Sequence, residues 1–487
     1  MNFKTLCQAA NIGCDVDIEI NGIKTNSRDV EKGDLFVCVK GLNVDGHSFA
    51  SEAEARGAAA VISERELGVK IPTVIVENTR KALPALYNAW YGFPTKRLKL
   101  VAVTGTNGKT SVTYMLKSIF DASMYKTGLI GTVDSYIGDE RIEKRSSSPL
   151  ANMTTPDPEE LFRLLSEMAK GGAEYVFMEA SSHALALDKL EGLEFEAAVF
   201  TNLTPEHLDF HKDMEDYFKA KSKLFEVSKK KIINTDDPFG KRLKACYSDA
   251  FGCSITRKCC DFFAGDIRDM GVEGSEYYLA SNGRRFLVRT PLIGRFNVMN
   301  SLEAAACALE LGVSPSEVKG ALASMGGVKG RLERVRLGAI KDYSVFIDYA
   351  HTPDALENLL DTVCRIRSCD QRVVLLFGCG GDRDKSKRKK MGEIAAEYAD
   401  FTVVTSDNSR SEEPADIIDE ILSGVGNAPH VSVVDRAEAI DYVIRSARKG
   451  DIILLVGKGH EEYEIDKSGK HRFNEREIAA AAAQKYS

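Results

Sequence analysis

The chain has 487 residues, 44% hydrophobic and 28% charged, with a formal net charge of −7. At roughly 100–200 residues per domain this length gives about three domains, and the composition excludes disorder, a fibre and a disulfide miniprotein. The negative charge argues against bulk attraction to nucleic acid or an anionic membrane. No apolar run reaches the roughly 18 residues of a membrane span. The start, MNFKTLCQAANIGCDVDIEI, shows no apolar leader, so a cytoplasmic protein is expected. The 11 cysteines, with no CxxC pair, read as buried free thiols in a reducing compartment.

Residues 1–96 alternate short apolar runs with turns. DLFVCV (34–39), AAAVIS (58–63) and PTVIVE (72–77) read as strands and SEAEARG as a helix, which gives a small α/β domain. A second domain, 97–331, opens with the apolar strand LKLVAVTG (98–105). A helix follows that presents Val112, Met115, Leu116 and Ile119 on one face. AEYVFMEA (173–180), AAVFTNL (197–203) and KKIINTD (230–236) continue the alternation expected of a parallel sheet covered on both faces. Residues 253–290 read as a hairpin-rich β insertion, followed by helices near 297–310 and 315–324. GGVKGR (326–331) is the expected hinge. The third domain, 332–487, carries four strands, SVFIDYA (344–350), RVVLLFGCG (372–380), FTVVTSD (401–407) and DIILLVG (451–457), in a doubly wound, Rossmann-like pattern.

The strongest chemical signal is Gly105-Thr106-Asn107-Gly108-Lys109-Thr110-Ser111, set between a buried strand and a helix. Backbone N–H groups and a helix N-terminus there suit a phosphate, Lys109 can reach the outer phosphates, and the Thr110 hydroxyl can ligate Mg²⁺. Val103 stands where the common phosphate loop has its first glycine. Glu179, Ser181 and His183 follow one later strand; His207, Asp209 and His211 follow the next. In open α/β sheets ligands gather at such carboxyl ends, so Glu179 and His207 are expected at the nucleotide's metal. His183 and His211 fit either that site or local hydrogen bonds. Lys219, Lys221 and Lys223 fall on different faces of one helix, and spacing alone reads each as a solvated lysine. In the third domain Asp348–His351, GCGGDRDKSKR (378–388), Asp407–Arg410 and Gly457–Glu461 end four consecutive strands. GCGG alone is also compatible with a simple tight turn. The clustering points to a ligand site formed between domains.

These motifs, in this order, resemble the Mur ligase family over essentially the whole chain: TGTNGKT, MEASSHAL, TNLTPEHLDFHKDMEDYFKAK, GRFNVMNSLEAAA (294–306), GRLERV (331–336), DYAHTPDAL, GGDRDKSKR and GKGHE. The resemblance implies an ATP-dependent amide ligase that adds the third residue, meso-diaminopimelate, to UDP-N-acetylmuramoyl-dipeptide in peptidoglycan synthesis. It implies UDP-precursor contacts at Ser27, Thr154, Thr155, Ser181 and Lys189, the last in place of a family arginine, with Leu187 in place of a family glutamine. It implies ATP contacts from the phosphate loop, Asn297, Arg331 and Asp348, and Mg²⁺ held by Thr110, Glu179, His207 and a carbamylated Lys221. Lys109, Glu179, His207 and Lys221 are then the catalytic set.

For the amino acid the resemblance implies Arg383, Asp407, Asn408, Ser409, Arg410, Gly457 and Glu461, with Ser409 replacing the proline of Asp-Asn-Pro-Arg. Arg383 and Arg410 would hold the carboxylate that diaminopimelate has and L-lysine lacks. The alternatives are an L-lysine-adding ligase, a folylpolyglutamate synthase, against which the N-terminal domain and the arginine pair argue, and a nucleotide-gated binding module. A monomer is expected, with no nucleic-acid partner.

Overall fold

The computed structural model describes residues 1–41, 44–143, 154–208, 210–338 and 341–486. Asp209 therefore lies outside the described residues. The chain divides into two compact units, one of Met1–Phe262 with Glu303–Val318, the other of Phe263–Leu302 with Lys319–Ser487.

In the first unit a small parallel sheet runs Ile23–Lys24, Leu35–Val37, Ala60–Ser63, Thr73–Ile75. Helices Phe3–Ala9 and Thr79–Trp90 bury Phe3, Leu6, Leu83 and Leu86 into the same apolar cluster as Leu35 and Ile62. A larger sheet places six parallel strands in the order Phe251–Ser254, Ser228–Asn234, Phe195–Phe200, Lys99–Thr104, Tyr175–Glu179, Thr127–Ile130. Antiparallel Ser135–Ile137 and Glu140–Ile142 follow.

Lys99–Thr104 is buried at every position after its first, as its continuous apolar run requires. It pairs with Phe195–Phe200 on one side and Tyr175–Glu179 on the other, with Thr104 opposite Phe200 and Val103 opposite Glu179. Three carboxyl ends therefore finish side by side, where the strand order reverses and ligands collect. The helix Lys109–Ala122 returns over the sheet with Val112, Met115, Leu116 and Ile119 fully buried.

In the second unit the expected β insertion forms an antiparallel ladder of Phe262–Asp269, Ser275–Ser281 and Arg284–Thr290. Its expected beginning is different: Phe251–Ser254 is a parallel strand of the first unit's sheet. A further sheet runs Glu333–Arg334, Ser344–Asp348, Ile452–Val456, Val373–Phe377, Phe401–Val404, His430–Ser432, parallel except for the first strand. The four strands read from the sequence are thus parallel neighbours with their carboxyl ends on one edge. The cysteines are all free, as expected, but Cys246, Cys259 and Cys369 are exposed rather than buried. No helix among the described residues is long and apolar enough to cross a membrane.

One buried group works against folding. Glu303, in the helix Arg295–Glu310, is fully buried, and neither carboxyl oxygen has a hydrogen-bond partner among the described residues. Burial, reinforced by the Asp237 carboxylate, pushes its acid well above the usual range. The native chain therefore keeps a proton that the unfolded chain releases. The stability linked to that proton is fully present below the unfolded value of about 4.3 and is lost as pH rises through the native value. Glu303→Leu, which removes the stranded polar atoms at similar volume, should stabilise the protein by about 1–3 kcal/mol at neutral pH. It should also flatten the decline in melting temperature between pH 5 and 8, measured by calorimetry.

Candidate active site

The loop after Lys99–Thr104 is held open by side chains from a distant part of the chain. Thr106 N–H donates to Asn202 O at 2.9 Å and Asn107 N–H to Asn202 Oδ1 at 2.9 Å, while Thr201 Oγ1 donates to Asn107 O at 2.5 Å. Gly105, at φ +147°, leaves no room for a side chain, since a Cβ would stand 1.9 Å from Thr201 Oγ1. Gly108, at φ +85°, caps the helix that starts at Lys109. The loop thus delivers a helix N-terminus, with its partial positive charge, to the sheet edge.

Two lysines converge on one carbonyl. Lys109 Nζ donates to Gly105 O at 3.0 Å and Thr106 O at 2.7 Å, and Lys221 Nζ donates to the same Gly105 O at 2.8 Å. Lys221 is 1% exposed, on the helix Met214–Glu226, with its ammonium 4.6 Å from the Tyr217 ring centre. The solvated-lysine reading therefore fails for this residue and fits exposed Lys219, while exposed Lys223 pairs with Asp188 at 2.8 Å. Burial first, and the nearby Lys109 charge second, drive the Lys221 amine far below the ordinary lysine range. The Tyr217 hydroxyl lies 3.2 Å from Thr106 Oγ1, and burial pushes it up to about 12.

Glu179 ends its strand 1% exposed. Its Oε2 accepts from Thr110 Oγ1 and Thr132 Oγ1, both at 3.0 Å, and its Oε1 accepts from Thr132 N–H at 2.8 Å. The carboxylate and two hydroxyls form an all-oxygen group, which suits Mg²⁺ rather than a thiophilic metal. Among the described residues no group of three His, Cys, Asp or Glu has metal-ligand spacing. The set fits an ion that keeps phosphate and water in its shell, as Mg²⁺ does. Thr155 Oγ1 donates to Glu179 O at 2.8 Å and lies 3.2 Å from Ser181 Oγ, and Thr132 Oγ1 lies 3.1 Å from Thr154 Oγ1. Lys189 is paired with Asp157 at 2.7 Å. His207, at φ +57°, stacks edge-on with His183 at 4.9 Å between ring centres, and His183 lies 5.9 Å from His211. His211 is buried, which lowers its imidazole's basicity. Ser27 is not part of this group; it donates to Glu52 Oε2 at 2.9 Å beside the small sheet.

The second unit gathers its own cluster. Asp348, at a strand end, accepts from Leu332 N–H at 2.6 Å and Ala350 N–H at 2.8 Å. Its burial raises the acid, against the lowering charge of Arg331, whose guanidinium lies 5.2 Å from the Tyr349 ring centre. Asn297 Nδ2 donates to Ile293 O at 2.9 Å and Asn297 Oδ1 accepts from Asn300 at 3.1 Å. At the next strand ends the glycines of GCGG are required by close approach. A Cβ on Gly378 would meet Thr405 O at 2.3 Å, and one on Gly381 would meet Ser409 O at 1.9 Å. Gly380 lies under both predicted arginines, where a Cβ would be 3.0 Å from Arg410 Nη1 and 3.9 Å from Arg383 Cγ. Arg410 Nη1 donates to Gly381 O at 2.8 Å. Asp407, Asn408 and Ser409 are buried, Gly457 takes φ +114° against Asp407 Oδ2, and Asn408 Nδ2 donates to Glu461 Oε2 at 2.7 Å. Burial raises the Glu461 acid, and the Asn408 bond opposes the rise.

Sequence reasoning missed Thr132, Thr201, Asn202 and Tyr217. Their only signal was position, since TNL follows a buried strand directly and Thr132 lies two residues past another.

Three family models match the chain in order: the Mur ligase family catalytic domain over 19–91, the Mur ligase middle domain over 103–308, and the Mur ligase glutamate ligase domain over 330–459. A UDP-N-acetylmuramoyl-L-alanyl-D-glutamate–2,6-diaminopimelate ligase of Syntrophomonas wolfei is 42% identical over 475 residues, 96% of this chain and 95% of the relative. The ligase of that name from Geobacillus kaustophilus is 43% identical over 477 residues, 96% and 95% of the two chains. A solved structure with the same name superposes with a TM-score of 0.74 at 31% identity, covering 100% of this chain and 99% of the other. With three matched models in sequence order and relatives this similar along nearly their whole length, the chain belongs to the Mur ligase family.

Proposed function

We propose that this protein is an ATP-dependent ligase that joins meso-diaminopimelate to the D-glutamate γ-carboxylate of UDP-N-acetylmuramoyl-L-alanyl-D-glutamate, in peptidoglycan precursor synthesis. The observation that carries the reading is the convergence of Lys109, Lys221 and the phosphate loop on the Gly105 carbonyl, beside the Thr110–Glu179–Thr132 oxygen cluster. The names of its relatives support the choice of substrates. We assign residues 1–96 to the UDP end of the precursor, 97–331 to ATP and 332–487 to the amino acid. ATP and a UDP-linked sugar as substrates argue for the cytoplasm, and we take the working unit to be a monomer.

In this reading a γ-carboxylate oxygen attacks the γ-phosphorus of ATP, the bond to the β-phosphate oxygen breaks, and ADP leaves. The amine of diaminopimelate then attacks the acyl-phosphate carbon, loses a proton and expels phosphate. Carboxylate and triphosphate repel each other, so the site must supply fixed positive charge where they meet. Lys109 and the loop amides do so, with Asn202 and Thr201 holding the loop in shape before ATP arrives. Mg²⁺, when bound, would add neutralisation of the phosphate charge, held by Thr110, Glu179, His207 and carbamylated Lys221. Only a neutral amine adds to CO₂, forming a C–N bond and releasing a proton. The buried Lys221 meets that condition where an exposed lysine would stay protonated. Asn297, Arg331 and Asp348 serve ATP, and Ser27, Thr154, Thr155, Ser181 and Lys189 the UDP precursor. Arg383 and Arg410 take the distal carboxylate, their planar forks suiting bidentate capture. Asp407, Asn408, Ser409, Gly457 and Glu461 complete that pocket.

Lys109→Ala should lower ADP release in the presence of all three substrates by about 10²–10³-fold or more. Turnover near that of the unaltered protein would defeat the assignment. In the same coupled assay, ADP formation should depend on meso-diaminopimelate. L-Lysine should give at most a small fraction of that rate, because it leaves Arg383 and Arg410 without their carboxylate. Equal rates with L-lysine would replace the substrate, and dependence on glutamate and folate would replace the function.

A further inference from the structure

Gly457-Lys458-Gly459-His460-Glu461 contains a lysine that the proposed reaction does not use. Lys458 is fully buried, an expensive place for an ammonium unless its protons are all received. Its Nζ donates to Asn408 Oδ1 and to Tyr463 O, each at 3.1 Å, and stands 3.9 Å from Asp407 Oδ1. The Phe473 ring closes over it with its centre 5.3 Å away. Burial lowers the Lys458 amine and the Asp407 carboxylate opposes this.

The consequence lies in the Asn408 amide. Its Oδ1 also receives Ile465 N–H at 2.9 Å, so two donors point at that atom. An amide turned the other way would set its NH₂ against both. The orientation is therefore fixed, and Nδ2 is left to donate to Glu461 Oε2 at 2.7 Å. The Tyr463 carbonyl is one of the Lys458 acceptors, two residues beyond Glu461. One buried cation thus ties together Asp407, Asn408, the segment at Tyr463 and, through the amide, Glu461.

We propose that Lys458 is a positioning residue of the amino-acid pocket: its ammonium fixes the Asn408 amide so that the amide holds the Glu461 carboxylate for the distal, ammonium-bearing end of the incoming amino acid. This rests on reading the cluster as the amino-acid site. Lys458 touches no reacting atom, so its removal should act on amino-acid affinity and selectivity.

The test is steady-state kinetics on Lys458→Met, which keeps the length and apolar contact of the stem and deletes the donors, with a thermal melt to establish that the variant is folded. KM for diaminopimelate should rise about 10–100-fold. KM for ATP and for the UDP precursor should change by less than about two-fold, and kcat at saturating amino acid should fall less than the KM rises. In a Glu461→Gln background the same substitution should add less than about two-fold, because the two residues act along one chain of bonds. Asn408→Asp, nearly isosteric and unable to donate to Glu461, should reproduce the selective rise, and it carries the test if Lys458→Met does not fold. An unchanged KM for diaminopimelate in a folded variant, a uniform rise in all three KM values, or full additivity with Glu461→Gln would overturn the proposal. Absence of amino-acid-dependent ADP release in the unaltered protein would instead defeat the function it rests on.

Discussion

The Gly105 carbonyl receives the amino groups of two lysines, and the first unit's site is arranged around the consequences. Lys109 and Lys221 both donate to it, and Lys221 is sealed from water. Two ammonium groups this close in a poorly hydrated place would repel strongly. The arrangement can relax in only two ways: anions arrive, or one lysine gives up its charge. The proposed chemistry uses both, with phosphate oxygens meeting Lys109 and the neutral Lys221 amine becoming an anion by adding CO₂. The loop that carries this carbonyl is braced from a distant part of the chain. Without Thr201 and Asn202 holding Thr106 and Asn107, repulsion would open the turn.

The sheet accounts for how such groups come together. Three strands adjacent in space but far apart in sequence end in register, with Thr104, Glu179 and Phe200 as their last residues. Each following segment supplies one part: the phosphate loop, the Ser181 turn and the Thr201–Asn202 brace. The second unit repeats the device at its own parallel edge with different side chains, giving arginine forks and a buried amide network in place of a phosphate loop. The same backbone logic therefore gathers two different sets of groups, and which set appears depends on the few residues after each strand.

What could be read from the sequence follows the same division. Continuous apolar strands, the glycine-rich loop and the amphipathic helix at 109–122 are local patterns, and each appears where its period placed it. The brace was invisible because nothing in TNL distinguishes a threonine aimed at a loop 94 residues away from one aimed at solvent. Among Lys219, Lys221 and Lys223, helical spacing separates the faces without saying which one is covered, and only the packed sheet decides that Lys221 is inside. The reverse failure is Glu303, whose place in an Ala-rich helical run gives no hint that its carboxyl is stranded in the core. The exposed Cys246, Cys259 and Cys369 make the same point, since composition predicts where thiols are usually found and cannot place individual ones.

The second unit's cluster shows why discrimination by charge needs rigidity behind it. Arginine forks select a carboxylate only when the forks are already aimed, because a flexible guanidinium loses in ordering much of what the ion pair gains. The fixing here comes from glycines rather than from extra contacts. Gly378 and Gly381 bring two backbones so near that no other residue fits, Gly380 lies against Arg410, and Arg410 is further tied to Gly381 O. Arg388, fully buried, completes the frame: it bonds the Glu412 carboxylate, which in turn accepts from Asp382 N–H at the start of the Arg383 turn. Glu461 is held by an amide that a buried lysine orients. An anchored Arg410, the neighbouring Arg383 and an oriented carboxylate together suit a small molecule carrying a carboxylate and an ammonium at its far end. Serine at 409 does not loosen such a frame, because its carbonyl is already packed against Gly381 and accepts Glu412 N–H at 3.0 Å. Close packing here supplies the stiffness that a proline would otherwise provide.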